Sequence, residues 1–128
     1  MDILTKVGGF EIGVLAGVFL AAAAGRRPVV VDGFISGAAA LIAHAIAPEA
    51  RHRFLASHQS VEPGHRLGLS HMGLEPLLDM GMRLGEGSGA ALSMHIVEAA
   101  ARCLSDMTTF AEAGVSEKIG DDTEEAAS

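Results

Sequence analysis

The segment "RLGEGSGA", residues 83–90, sets a glutamate, Glu86, between glycines at the start of an apolar, helix-prone stretch. One interpretation is a helix cap, because the dipole and free N–H groups of a helix N-terminus stabilise a nearby carboxylate by about 0.3–1 kcal/mol. The glycines favour a functional role, since positions without side chains let another molecule approach the backbone. A phosphate-binding loop is a weaker alternative, because the carboxylate would repel phosphate and no GxxxxGK[ST] pattern is present. These residues alone leave the role of Glu86 open.

Two other segments carry side chains that could contact a nucleotide. Asp32 follows three valines and precedes Gly33. It is therefore either a turn residue or a carboxylate that accepts hydrogen bonds from ribose hydroxyls at the end of a strand. In "SHQSVEPGH", residues 57–65, the hydroxyl of Ser57 or Ser60 could donate to a phosphate. Both segments are candidates for one binding site.

Weaker signals come from the histidines and from the glycines near the start of the chain. The spacing of His58, His65 and His71 matches no ligand pattern such as HExxH, so no metal site is predicted. Gly8 and Gly9 precede the first long apolar run, where they form either a plain turn or a helix start open to an anion.

The elements that must position these residues follow from apolar runs and turn residues. The sequence predicts helices over 9–24, 35–47, 66–74 and 88–107, strands over 29–31 and 53–57, an extended segment over 77–82, and a last helical turn within 108–115. This alternation is typical of an α/β fold with parallel strands. Ligands of such sheets bind beyond the carboxyl ends of the strands, which are predicted at Asp32-Gly33 and Ser57-His58.

Two predicted helices carry expectations about burial. The helix over 9–24 is apolar nearly all round, which is typical of an interior helix, but so few strands leave part of it uncovered, and exposed apolar surface is expected. In the helix over 88–107, apolar residues at three- and four-residue steps predict a buried face. These are Ala91, Met94, Val97, Ala101 and Leu104. Cys103, in the same pattern, is predicted to be a buried, inert thiol.

Composition and charge exclude several classes of partner for a chain of 128 residues. The hydrophobic fraction is 49% and the formal net charge is −7, which indicates a globular domain without the basic surface that nucleic acid or an anionic membrane requires. The apolar run over 12–25 is shorter than the roughly 20 residues that span a bilayer. No secretory leader is recognised, and a single cysteine fits a cytoplasmic protein. The acidic tail, residues 116–128, is expected to be disordered.

Four motifs in order resemble the C-terminal part of the nicotinate-nucleotide–dimethylbenzimidazole phosphoribosyltransferase family. They are "VGGFEI", "PVVVDGFIS", "ASHQSVEPGH" and "EPLLDMGMRLGEGSGA", and the resemblance covers about residues 4–115. It implies a three-layer, Rossmann-like domain with a parallel sheet, of which residues 1–115 form the C-terminal part. The implied reaction transfers phosphoribose from nicotinate mononucleotide to 5,6-dimethylbenzimidazole, giving α-ribazole 5′-phosphate and nicotinate, with no metal or cofactor.

The resemblance also implies roles for single residues. Glu86 corresponds to the family's general base, which takes a proton from the benzimidazole, and Leu84 lines the benzimidazole pocket beside it. Asp32 and Gly33 contact the ribose side of the nucleotide. The remaining implied contacts are Ser60 with the phosphate, and Gly8 and Gly9 near the nucleotide.

The chain departs from the family pattern chiefly in length, since family members are more than twice as long. The resemblance therefore implies a fragment that carries the base but only part of the site. It also implies a homodimer for the full-length enzymes. The alternative is a non-catalytic nucleotide-binding module that needs a partner. Smaller departures are Ser88, where threonine is usual, and His71, where a small or apolar residue is common.

Overall fold

A computed structural model describes residues 2–115, which form five α-helices, one 3-10 helix and three strands. The elements are α1 (Asp2–Val7), α2 (Phe10–Ala24), β1 (Val29–Val31), α3 (Phe34–Ile46), the 3-10 helix (Pro48–Arg53), β2 (Phe54–Ser60), α4 (Pro63–Met72), β3 (Pro76–Met82) and α5 (Ser88–Asp106). The acidic tail predicted for residues 116–128 lies outside the described residues.

The three strands form one parallel sheet in the order β1-β2-β3. Val31 pairs with Ala56, and Ser60 pairs with Met82 after a register shift between His58 and Ser60. The α3 helix connects β1 to β2, α4 connects β2 to β3, and α5 packs against all three strands. The α/β class with a parallel sheet and few strands is therefore confirmed.

The core lies between β1, β2 and the helices α2, α3 and α4. Small residues on α3 allow the close approach of its neighbours, since Ala39, Ala40 and Ala43 are completely buried. The rings of Phe19 on α2 and Phe54 on β2 meet with centroids 5.7 Å apart. This packing holds β1 and β2 against the helices, and the candidate site residues lie at the opposite, carboxyl ends of these strands.

The second strand is longer than the sequence predicts. It runs from Phe54 to Ser60, so Ser57 and His58 lie inside the strand instead of at its end. Both side chains are buried; the hydroxyl of Ser57 hydrogen-bonds to the carbonyl oxygen of Asp32 and to Nδ1 of His58. Because polar residues usually mark loops, the pattern hid a strand in which the buried Ser57 hydroxyl is paired with Asp32, 25 residues away.

The predicted burial of α5 is wrong. The buried residues of this helix are Gly89 and Ser93, whereas Met94 and Leu104 are 58% and 90% exposed. The expectation for Cys103 is also wrong, because the thiol lies on the exposed surface. The last helical turn is absent as well, since residues 110–114 form turns without helix.

Exposed apolar surface on α2 is confirmed. Phe10, Val14 and Val18, at four-residue steps, are 94%, 66% and 55% exposed. Only Ala16 and Phe19 of this helix are buried. Within residues 2–115, no helix combines the length and hydropathy needed to cross a bilayer.

Candidate functional site

A cleft of about 530 Å³ opens where β1 and β2 end and where the chain leaves β3. Five of the seven residues predicted to form the site line it: Asp32, Gly33, Ser60, Leu84 and Glu86. They come from the loop after β1, the last residue of β2 and the loop after β3, which parallel strands bring to one edge of the sheet. The topology therefore gathers these side chains as a binding site at strand ends requires.

The two remaining glycines do not line this cleft. Gly8 borders a separate apolar groove of about 570 Å³ between α1, α2 and α3. A Cβ atom at Gly8 would lie 2.6 Å from the carbonyl oxygen of Leu4, so the turn after α1 itself requires glycine. Gly9 is the N-cap of α2 in extended conformation.

The loop that carries Glu86 has an unusual backbone. Glu86 has a φ of 56°, and its neighbours Gly85 and Gly87 have φ of 77° and 74°. This left-handed region suits glycine, whereas for a residue with a Cβ it costs roughly 1–2 kcal/mol. The Glu86 side chain is exposed to the cleft, and Leu84 beside it is 75% exposed. The strained backbone thus presents a carboxylate to open space.

Asp32 connects the end of β1 to this loop. Its Oδ2 accepts a hydrogen bond from the backbone N–H of Gly87 at 3.2 Å, and its Oδ1 accepts one from Ala90 at 2.9 Å. The carboxylate thereby caps the N-terminus of α5, whose N-cap residue is a glycine without a side chain. The cap suspected for Glu86 is in fact supplied by Asp32.

A second hydrogen-bond chain fixes His58 beneath the cleft. The hydroxyl of Ser57 donates to the carbonyl oxygen of Asp32 at 3.0 Å, and it also lies 3.0 Å from Nδ1 of His58. Since the hydroxyl has one proton and the carbonyl can only accept, Nδ1 of His58 must be the donor of the second bond. This tautomer leaves Nε2 of the neutral ring as an acceptor at the wall of the cleft.

His65 lies behind Ser60 and has the opposite tautomer. Its Nδ1 accepts a hydrogen bond from the backbone N–H of Ser60 at 3.1 Å, so the proton of the neutral ring lies on Nε2. The ring is buried, and its Nε2 has no hydrogen-bond partner among residues 2–115. Burial lowers the pKa of His65 below 6.5, and the nearby His58 lowers it further against a smaller opposing effect of Asp32. His65 is therefore a neutral support for the end of β2.

The charges around the cleft are mostly negative. Asp32, Glu62 and Glu86 supply carboxylates, and Arg83 is the one arginine or lysine among the described residues that line it. Hydrogen-bond donors come from the first turn of α3, because its N-cap Gly33 has no side chain to occupy the free N–H groups. No group of three or more His, Cys, Asp or Glu side chains in residues 2–115 could hold a metal ion.

The sequence analysis missed that Ser57, His58 and His65 are buried supports beneath the cleft. A usable signal was present, because "FLASHQS" contains no glycine or proline and the first turn residues appear only at Pro63-Gly64. A strand that continues to Ser60 would have placed Ser57 and His58 within the sheet. Their hydrogen-bond partners, in contrast, could be found only with the coordinates.

The family model described as phosphoribosyltransferase matches residues 1–115. The chain belongs to this family. A nicotinate-nucleotide–dimethylbenzimidazole phosphoribosyltransferase from Dehalococcoides mccartyi is 65% identical to it over 118 residues, which are 92% of this chain and 34% of the relative. The protein with the same name from Chloroflexus aurantiacus is 62% identical over 119 residues, which are 93% of this chain and 34% of that relative.

A solved structure of a phosphoribosyltransferase supports the same assignment. The crystal structure of the nicotinate-nucleotide–dimethylbenzimidazole enzyme from Thermus thermophilus superposes with a TM-score of 0.87 at 47% identity. The match covers 91% of this chain and 35% of that structure. The chain thus spans about a third of the length of the relatives that it matches.

Proposed function

We propose that the protein to which this phosphoribosyltransferase chain contributes transfers phosphoribose from nicotinate mononucleotide to 5,6-dimethylbenzimidazole. The observation that carries the proposal is the convergence of Asp32, Gly33, Ser60, Leu84 and Glu86 on one cleft. The similarity to relatives that bear the name of this activity supports it.

The reaction replaces one C–N bond by another. A ring nitrogen of the benzimidazole forms a bond to C1′ of the ribose, while the bond from C1′ to the pyridinium nitrogen breaks. The electron pair of the broken bond stays on nicotinate and neutralises its positive ring nitrogen. The benzimidazole must lose the proton of its other nitrogen, and the Glu86 carboxylate accepts this proton as general base.

The cleft residues suit the parts of the two substrates. The hydroxyl of Ser60 accepts a hydrogen bond from the Glu62 N–H at 3.3 Å, which leaves its own proton available for a phosphate oxygen. The N–H groups in the first turn of α3, which no N-cap side chain occupies, suit the same anion. Leu84 offers an apolar side chain beside Glu86 for the flat benzimidazole. Gly33 allows the ribose to approach the backbone between these sites.

Because the chain spans 34% of the length of the Dehalococcoides mccartyi relative, we expect the 128-residue chain alone to show little or no phosphoribosyl transfer. A hybrid enzyme tests the function. The hybrid is the Dehalococcoides mccartyi relative in which the matching segment is replaced by this chain. Its formation of α-ribazole phosphate is measured by chromatography. We expect the hybrid to be active. Loss of activity in a folded hybrid, while the parent relative remains active, would reject the proposed function for this segment.

The role of Glu86 is tested by Glu86→Gln in the hybrid. Loss of a general base typically lowers turnover by about 10²–10⁴-fold, while nicotinate mononucleotide should still bind. Glu62→Gln is the matched control, because it neutralises another carboxylate of the same cleft. It should change turnover only a few-fold. Normal turnover of the Glu86→Gln hybrid would eliminate the general-base role.

We propose further that the whole protein works in the cytoplasm as a homodimer. The single cysteine of the chain suits a reducing compartment. The exposed apolar side chains of α2 and α5 provide surface that further protein would cover. Sedimentation of the hybrid should give twice the mass of one chain, and a monomer would contradict the dimer.

A further inference from the structure

The base-bearing loop is strained, and its position depends on a tertiary contact. Residues 85–87 all have positive φ, although Glu86 is not glycine. Such a conformation persists only where surrounding structure over-determines it. A local turn contributes, since the Ser88 N–H donates to the Gly85 carbonyl at 3.0 Å. This turn closes the loop but does not attach it to the sheet.

Asp32 provides that attachment. Its two carboxylate oxygens bind the N–H groups of Gly87 and Ala90, which are 55 and 58 residues away in the chain. Gly87 immediately follows Glu86, so one of the two bonds fixes the peptide next to the base. The negative charge also lies at the positive end of the α5 dipole.

Asp32 is itself held in place from the other side. Its carbonyl oxygen accepts the hydroxyl of Ser57 on β2, and its side chain is only 16% exposed. The contact therefore runs from the interior of the sheet through Asp32 to the loop. Both carboxylate oxygens already have backbone partners, so a ribose hydroxyl would have to share them.

We propose that Asp32 is a positioning residue for Glu86, whose carboxylate it directs toward the reacting nitrogen by fixing the Gly87 and Ala90 amides. This inference rests on the proposed role of Glu86 as base. It differs from the ribose contact that the family resemblance implies for Asp32. A positioning residue affects the chemical step and leaves nucleotide binding unchanged, whereas a ribose ligand affects binding.

The kinetic test uses Asp32→Asn in the hybrid enzyme, where the amide keeps the size of the side chain but removes its charge and one acceptor. We expect kcat to fall by roughly 10–100-fold, as small displacements of catalytic groups do, with KM for nicotinate mononucleotide within about twofold. Asp79→Asn on the exposed part of β3 is the control and should leave both unchanged. A rise in KM at constant kcat would show that Asp32 is a ribose ligand instead.

A double-mutant cycle separates positioning from general support of the fold. If Asp32 acts through Glu86, then Asp32→Asn should cause no further loss of kcat in the Glu86→Gln hybrid. A purely structural role would reduce the remaining activity by the same factor in both backgrounds. Equal factors would therefore overturn the proposal.

A third test does not depend on enzyme activity and uses the 128-residue chain itself. In the unmodified chain, NMR couplings across hydrogen bonds should connect the Asp32 carboxyl carbon to the Gly87 and Ala90 nitrogens. In the Asp32→Asn chain, both amides should exchange with solvent at least about tenfold faster, while amides of β2 remain protected. Missing couplings together with unchanged exchange would overturn the positioning role even if the hybrid is active. An inactive hybrid with the expected couplings would reject the proposed function alone.

Discussion

Gly89, in the first turn of α5, lies directly against the imidazole ring of His58. A Cβ atom at Gly89 would overlap Nδ1 of His58, whose side chain the surrounding structure leaves only 2% exposed. The ring also lies close to Gly33, where a Cβ would stand 3.5 Å from it. One histidine thus fills the space between the starts of α3 and α5, next to the cleft.

This contact predicts that Gly89→Ala destabilises the chain. The methyl group would force His58 or α5 to move, at a cost of about 1–3 kcal/mol in the free energy of unfolding. Gly17→Ala is the matched control, because Gly17 is in the middle of α2 with no atom within 4 Å of its Cβ position. That variant should be more stable by roughly 0.5–1 kcal/mol. Urea unfolding measures both, and equal stability of the two variants would contradict the close contact.

The tautomers of His58 and His65 are predicted to differ. His58 donates from Nδ1 to Ser57, whereas Nδ1 of His65 accepts from the Ser60 N–H. Long-range ¹H–¹⁵N spectra of the neutral imidazole forms should therefore show a protonated Nδ1 for His58 and a protonated Nε2 for His65. Ser57→Ala should remove the preference of His58 and leave His65 unchanged. A protonated Nε2 on His58 in the unmodified chain would contradict the hydrogen-bond chain through Ser57.

His65 predicts how stability depends on pH. Burial lowers its pKa in the folded chain, while the unfolded value stays near 6.5. As pH falls below 6.5, the unfolded chain therefore binds a proton that the folded chain does not, and stability decreases with a slope of up to about 1.4 kcal/mol per pH unit. At higher pH both states are neutral, and this contribution to the pH dependence vanishes.

The measurement compares unfolding free energies of the chain at about pH 5 and about pH 8, on either side of the ordinary histidine pKa. His65→Gln should reduce the difference between them, because its amide oxygen can accept the Ser60 N–H without titrating. His95→Gln, at an exposed position on α5, is the matched control and should keep the full difference. An unchanged difference in the His65→Gln chain would show that other groups cause the acid sensitivity.

The sequence was sufficient to predict the α/β class because apolar runs and turn residues mark the elements locally. Local patterns also made Asp32, Ser60 and Glu86 candidates, but only the family resemblance chose Ser60 over Ser57 and gave Glu86 its predicted role as base. The burial of α5 could not be predicted. Periodicity identifies an apolar face but not the neighbour that covers it, and here the sheet contacts Gly89 and Ser93.

The role of Asp32 shows a second limit. A carboxylate after a buried strand is suited equally to a turn, a ribose contact or a helix cap. Its actual partners, Gly87 and Ala90, lie 55 and 58 residues away. No local pattern records such a pairing, and the same holds for the hydroxyl of Ser57 that binds Asp32.

The backbone of Glu86 predicts an unusual order of stability among its variants. At a φ of 56°, glycine avoids the steric cost that alanine and glutamate share. The free energy of unfolding of Glu86→Gly should therefore be about 1 kcal/mol higher than that of Glu86→Ala, although both variants lack the carboxylate. Glu98, inside α5 and paired with Arg102 at 2.7 Å, is the control. There the order should reverse, with Glu98→Gly less stable than Glu98→Ala by about 1 kcal/mol. The same order at both positions would contradict the left-handed backbone of the loop. If this order is found, and if the hybrid is inactive with either Glu86 variant, then the protein keeps a destabilising residue at position 86 because the reaction needs its carboxylate.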